Sequence, residues 1–192
     1  MRLKETSFVA LDFETTGVVS GYANEPWPIG LVELHHGCLD ASTQWESYLR
    51  IEPARPINPH APGRHAQLRD HLAQSPEPLA LLPDLEQRLL DKVLIAHNCA
   101  TEKKIVRQIA PMHRFGPWLD TLVCAKRAWP NLSSYKLESL IEILGLHQRL
   151  QTLLPERSAH DALYDAMAAG LIVERLCEEG WADLSIEGLL KS

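Results

Sequence analysis

The chain opens on an apolar run that ends in acids. Ser7-Phe8-Val9-Ala10-Leu11-Asp12-Phe13-Glu14-Thr15-Thr16-Gly17 reads as a strand, and side chains alternate faces along a strand. Asp12 and Glu14 therefore point one way while Leu11 and Phe13 point into the core. The stretch Val18 to Pro28 is rich in Gly, Asn and Pro. Beyond it, Ile29 to Leu34 reads as a second strand, His35-His36-Gly37 as a turn, and Ser42 to Ile51 as a third strand, giving an antiparallel meander. Pro53 to Pro83 holds seven of the thirteen prolines, which marks irregular connecting structure, with a short helix expected near Arg64–Ala73. Helical spacing of Leu81, Leu82, Leu85, Leu89 and Leu90 predicts a helix over Leu79–Leu90, leading into a strand at Lys92–Ala96.

The segment from Cys99 to Ile109 has helical character, with Asn98 as its expected N-cap and Glu102 in or just after the first turn. Trp118–Val123 is a short strand or a strand-to-helix junction. Tyr135–Leu146 is a helix with Leu137, Leu140, Ile141 and Leu144 on one face. The last long helix is expected to open at Ser158 as N-cap and to run to Gly180. Trp181–Ser192 reads as a short amphipathic helix that packs on the body or on a second copy of the chain.

Composition narrows the class without naming a function. A chain of 192 residues with 45% apolar and 23% charged positions suits one globular domain over residues 1–192. Cys38, Cys99, Cys124 and Cys177 are scattered with no C-x-x-C pair, as in a reduced, cytoplasmic protein. Met1-Arg2-Leu3-Lys4-Glu5 leads straight into the first strand, so no signal peptide is expected. No apolar run approaches membrane-spanning length, so no membrane association is expected either. The net charge of −6 excludes a generic nucleic-acid coat, which would draw its affinity from many Lys and Arg contacts to phosphate. It is compatible with an enzyme that reaches phosphate through cations held by acids.

The candidate chemistry lies in three acidic places: Asp12 with Glu14, then Glu102, then Asp165 near His160. Each sits near a strand end or helix start, where parallel-sheet proteins gather their sites. Paired carboxylates repel unless protonated, hydrogen-bonded or holding a cation, and a hard divalent ion is the usual resolution. Four carboxylates and one titratable base would suffice for phosphodiester hydrolysis at two divalent ions, with His160 taking a proton from the attacking water. His160 and Asp165 are five apart, about 140° on an ideal helix, so they converge only if His160 lies in the loop or first turn. Asp161 and Asp165, four apart, would share a helical face, so geometry alone leaves Asp161 a competing ligand. The histidine pairs and singles elsewhere (His35, His36, His60, His65, His71) lack the tight ligand spacing of a zinc site.

Asp12-Phe13-Glu14-Thr15-Thr16-Gly17, Ile95-Ala96-His97-Asn98 with an acid four residues on, and His160 with Asp165 together resemble the three motifs of the DEDDh 3′→5′ exonucleases. That superfamily includes the proofreading epsilon subunit of bacterial DNA polymerase III, ribonuclease T and oligoribonuclease. The resemblance runs from about Phe8 to Leu176, with Asp120-Thr121 and Lys136-Leu137 also fitting. It implies a ribonuclease H-like α/β fold: a mixed five-stranded sheet, three antiparallel strands first and parallel ones after, flanked by helices. It implies two divalent cations, Mg²⁺ or Mn²⁺, held by Asp12, Glu14, Glu102 and Asp165, with His160 as general base and Asp165 chosen over Asp161. Thr15, Thr16 and Val18 would contact the terminal nucleotide, and His97-Asn98 would shape the pocket behind it. The implied activity is release of nucleoside 5′-monophosphates from the 3′ end of DNA or RNA, single-stranded most readily. A polymerase partner or a homodimer is left open. The alternative is a non-catalytic module of the same fold that binds nucleic-acid ends or a polymerase. Three departures stand out: Glu102 replaces the usual Asp, Pro28 stands where a Glu precedes Ile-Gly, and Arg64-His65-Ala66-Gln67-Leu68 replaces a His-Gly-Ile stretch.

Overall fold

A computed structural model describes residues 1–61, 63 and 67–190. Five strands form one sheet: β1 (Phe8–Thr15), β2 (Pro26–His35), β3 (Cys38–Tyr48), β4 (Val93–Ala96) and β5 (Trp118–Asp120). Their spatial order is β3-β2-β1-β4-β5. β1 pairs antiparallel with β2, and β2 with β3, whereas β4 runs parallel to both β1 and β5. The expected mixed sheet is therefore the one observed. The meander is longer than its apolar pattern suggested, since β2 begins at Pro26 and β3 at Cys38, four residues before Ser42.

The helices are α1 (Arg69–Gln74), α2 (Leu82–Leu89), α3 (Ala100–Ile109), α4 (Thr121–Ala128), α5 (Leu137–Ile143), α6 (His147–Leu153), α7 (Ala162–Glu178) and α8 (Ile186–Leu190). The start of the helix expected at Arg64–Ala73 falls partly outside the described residues, and α1 occupies its second half. The Leu79–Leu90 helix divides into a 3₁₀ turn at Pro78–Leu81 and α2, because Pro83 suits only a first helical turn.

Both faces of the sheet are covered. Phe8, Ala10, Val32 and Leu34 pack against α7, while Val9, Leu11, Phe13, Ile29 and Leu31 pack against α2 and α3. Alternation along β1 thus puts Asp12 and Glu14 on the α7 face, in line with Phe8 and Ala10. α7 comes close to the sheet because its contact residues are small. Gly170 lies over Ala10 and Leu34, and Gly30 in β2 lies under the first turn, where a Cβ would overlap the backbone of Ala162 and Leu163. An isolated glycine in a strand often marks such an approach of another backbone. The tail packs on this chain's own N-terminus. Ile186 N–H donates to the Met1 carbonyl (3.0 Å), Leu3 N–H to the Leu184 carbonyl (3.0 Å), and Asp183 pairs with Arg2 and Lys4.

Candidate active site

β4 ends one residue past its Ile95–Ala10 pair, beside the part of β1 that leads into Asp12; α3 starts after the loop that follows β4, and α7 starts just after Asp161 and carries Asp165 in its first turn. The ligand atoms of Glu14, His160 and Asp165 lie within 4.8 Å of one another. Asp12 and Glu102 are not in that close group, but their charges act on it and on each other. Burial, then the charges of Asp165, Glu102, Glu14 and Asp161, push the Asp12 carboxyl well above the ordinary carboxylate range. Burial pushes Glu14 up to about 7, with Asp161 adding to the rise. Asp165 is pushed up to about 8 by burial and then by Glu14, against the pull of the His160 N–H, which donates to its Oδ2 (3.0 Å). Burial also raises Glu102 to about 7. Its own backbone N–H at the head of α3 opposes that rise, while Asp120 and Glu14 add to it.

His160 lies in the loop before α7, in the left-handed region (φ 67°), which is the placement its convergence with Asp165 requires. Its Nε2 is 3.4 Å from Glu138 Oε1 at the surface. The expected cap and start of α7 need correction. The helix begins at Ala162 and its N-cap is Asp161, not Ser158; the Asp161 side chain accepts the Tyr164 N–H (3.2 Å). The cause is a long-range pair: Arg157 forks onto Glu46 (3.0 and 2.8 Å) and also donates to Asp161 (2.8 Å), anchoring the loop to β3. Asp161 has extended backbone (φ −114°, ψ 121°), so the four-residue helical spacing that made it a rival to Asp165 does not apply.

α3 likewise begins one residue later than expected. Its N-cap is Cys99, and Asn98 has a positive φ of 62°. Asp120 fixes this corner: its Oδ1 accepts the Asn98 and Leu122 N–H groups (2.9 Å each) and its Oδ2 accepts the Cys99 N–H (3.2 Å). Both ring nitrogens of His97 are engaged, Nδ1 with Thr121 Oγ1 and Nε2 with the Tyr135 carbonyl (2.9 Å each). Burial lowers its pKa, so the neutral ring donates from Nε2 and accepts at Nδ1. Thr16 is fully buried. Its hydroxyl accepts from the Glu25 N–H (3.0 Å) and from Arg55 Nη2 (3.2 Å), which ties it to the 16–25 loop. Thr15 is half-buried and Val18 is 81% exposed. Pro28 sits in a β2 bulge, two residues facing Glu14 alone, a position that tolerates the missing N–H. Sequence reasoning did not single out Gly30, Arg157 or Glu46. Only Gly30 carried a local signal.

Divalent cations fit this donor set. One carboxylate oxygen of Glu102, Oε2, is buried with no hydrogen-bond partner, which a fold tolerates poorly unless a ligand completes it. The raised carboxyls are what a cation of the Mg²⁺ or Mn²⁺ type would neutralise.

Residues 9–173 match the profile of the RNase_T exonuclease family. Among curated relatives, the PolC-type DNA polymerase III of Thermotoga maritima is 29% identical over 178 residues, covering 91% of this chain and 12% of the relative. A DNA polymerase III subunit epsilon-like protein of Rhodobacter capsulatus is 24% identical, covering 91% of this chain and 24% of the relative. The chain thus spans about one eighth of the PolC-type relatives' length. Among solved structures, exonuclease X in complex with 5′ overhanging duplex DNA superposes with a TM-score of 0.66 at 24% identity, covering 96% of this chain and 98% of that one. The nuclease domain of 3′hExo bound to rAMP gives 0.73 at 15% identity, covering 95% and 97%. The profile match over most of the chain establishes that it belongs to the RNase_T exonuclease family, and the superpositions show the shared ribonuclease H-like fold.

Proposed function

We propose that this protein hydrolyses phosphodiester bonds at the 3′ end of DNA or RNA and releases nucleoside 5′-monophosphates. The observation that carries the reading is the meeting of Glu14, His160 and Asp165 ligand atoms within 4.8 Å at the end of β1, with Asp12 and Glu102 beside them. Asp12, Glu14, Glu102 and Asp165 would hold two divalent cations, which when bound would supply charge neutralisation at the phosphate and ease loss of a proton from water. His160 takes that proton on its imidazole as the water oxygen attacks phosphorus; the P–O3′ bond breaks and the released 3′ oxygen takes a proton from solvent water. His160 is half exposed, lies in the loop before α7, and stands near both Glu138 and the carboxylates of Glu14 and Asp165.

The terminal nucleotide lies against Thr15 and Val18 beyond the end of β1. His97, held at both nitrogens, keeps Asn98 at the corner of β4 and α3, so these two shape the wall behind the base. The test is a panel of single- and double-stranded DNA and RNA plus a dinucleotide, with Mg²⁺ and with Mn²⁺. Mononucleotide release from a 3′ end that stops in EDTA is expected. Failure to shorten any 3′-ended strand with either ion would overturn the enzyme reading.

A further inference from the structure

An open groove of about 900 Å³ lies between α3 and the segment leading into β5, apart from the acidic cluster. Lys103, Lys104, Arg107 and Arg114 line it together with the rings of Phe115 and Trp118. No carboxylate lines this groove, although the chain as a whole carries a net charge of −6. These four cations are exposed, and among the described residues none of them pairs with an acid. Lys103 does contact the Cys99 thiol, and the neighbouring acid, Glu86, is already taken by His113 at 2.6 Å. His113 in turn stacks on Phe115, and Trp118 donates its indole N–H to the Phe115 carbonyl, so the aromatic wall is fixed.

Helical geometry ties the groove to the site. At about 100° per residue, Ala100, Lys103, Lys104 and Arg107 form one stripe of α3, and Glu102 falls on the opposite side toward the acids. The groove therefore starts one turn around the same helix end that presents Glu102 and Asn98.

We propose that this groove holds a single-stranded stretch of nucleic acid, the part of the strand that precedes the terminal nucleotide; the inference rests on the exonuclease reading of the adjoining acids. Unpaired cations beside exposed ring surface match what single strands offer, phosphates along the backbone and a π face on every base. An acidic peptide would use the cations and leave the rings without a counterpart.

The test compares the parent with the double variant Lys104→Gln/Arg107→Gln and with an equal-charge control, Arg2→Gln/Lys4→Gln, in the N-terminal segment, outside the groove lining. A labelled 20-nucleotide single strand is titrated by fluorescence anisotropy in EDTA across a salt series. Hydrolysis of the p-nitrophenyl ester of thymidine 5′-monophosphate with Mn²⁺ reports the terminal subsite alone. The groove variant should bind about tenfold more weakly at 50 mM salt, with a log–log salt slope shallower by about 1.4, which is two lost phosphate contacts at about 0.7 each. The control should match the parent, and ester hydrolysis should be unchanged in both. Equal affinity and slope for the groove variant and the parent, an equal loss in the control, or competition by polyglutamate as strong as by the strand would overturn the groove assignment. Groove-dependent binding by a parent that hydrolyses nothing would instead sink the enzyme reading and leave the groove standing.

Discussion

Replacing Asp165 by Asn should make the metal-free protein more stable, and increasingly so as pH rises. In the fold this carboxyl titrates at about 8, against 3.8 for the free group. Below about pH 4 it is protonated in both states and contributes nothing. Between about 4 and 8 the unfolded chain ionises it while the folded chain retains the proton, so the native state binds more protons and its stability falls as pH rises. At about 1.4 kcal/mol per pH unit the full rise corresponds to at most about 6 kcal/mol. Solvent reaches part of the side chain, and about half of that, on the order of 3 kcal/mol, is the expected gain for the variant above pH 8. The amide oxygen of Asn can still accept the His160 N–H, and loss of the charge also relieves Asp12, on which Asp165 is the largest charge. For a chain of this size the gain is roughly 6–12 °C in melting temperature. Thermal unfolding in EDTA at pH 4 and pH 8 measures it. Adding Mn²⁺ at pH 8 should reverse the order by stabilising the parent more than the variant. A variant less stable than the parent in EDTA at pH 8, or a difference that does not change with pH, would refute the electrostatic picture of the site.

His160→Ala should lower hydrolysis by about 10²–10⁴-fold, the usual contribution of a positioned base, while Mn²⁺ still raises the melting temperature; steady-state rates and calorimetry separate the two effects. Gly30→Ala forces a Cβ into the backbone of Ala162 and Leu163, so urea unfolding should show a loss of about 1–3 kcal/mol and kcat should fall with it as the start of α7 moves. Asp120→Ala removes the cap of α4 and the clamp on Asn98 and Cys99. A stability loss of about 1–2 kcal/mol with a raised KM is expected, and Asp120→Asn should recover part of both.

The strand that carries Asp12 and Glu14 was legible because a period-two pattern needs only neighbouring residues to specify it. The antiparallel meander was legible in turn signals and alternation, while the mixed five-stranded sheet came from the resemblance. Helix starts were less legible. Ser158 has the chemistry of a cap, yet the cap fell to Asp161 because Arg157 is fastened to Glu46, more than a hundred residues earlier in the chain. No window around Ser158 contains that partner. The choice between Asp161 and Asp165 failed on geometry for the same reason: four-residue spacing presupposes a helix that begins only after Asp161. The groove was hidden differently. Lys103 and Lys104 follow Glu102 directly in the sequence, yet they line the groove side of α3 while Glu102 is buried.

An acid in the first turn of a helix such as α3 can do one of two things, complement the head of the helix or belong to a site, and Glu102 tests which. A helix-dipole partner gains what it can at the surface, where water screens it and satisfies both oxygens. Glu102 is instead 4% exposed, its Oε2 has no partner, and its titration is coupled to Glu14 and Asp120. Burial of that kind costs stability, and nothing in the first turn of α3 requires it. Glu102 is one methylene longer than the Asp that the resemblance leads one to expect, yet its carboxylate is buried where the charges of Asp120 and Glu14 reach it. The cost of that burial is intelligible if the carboxylate is kept there for a cation, and hard to account for otherwise.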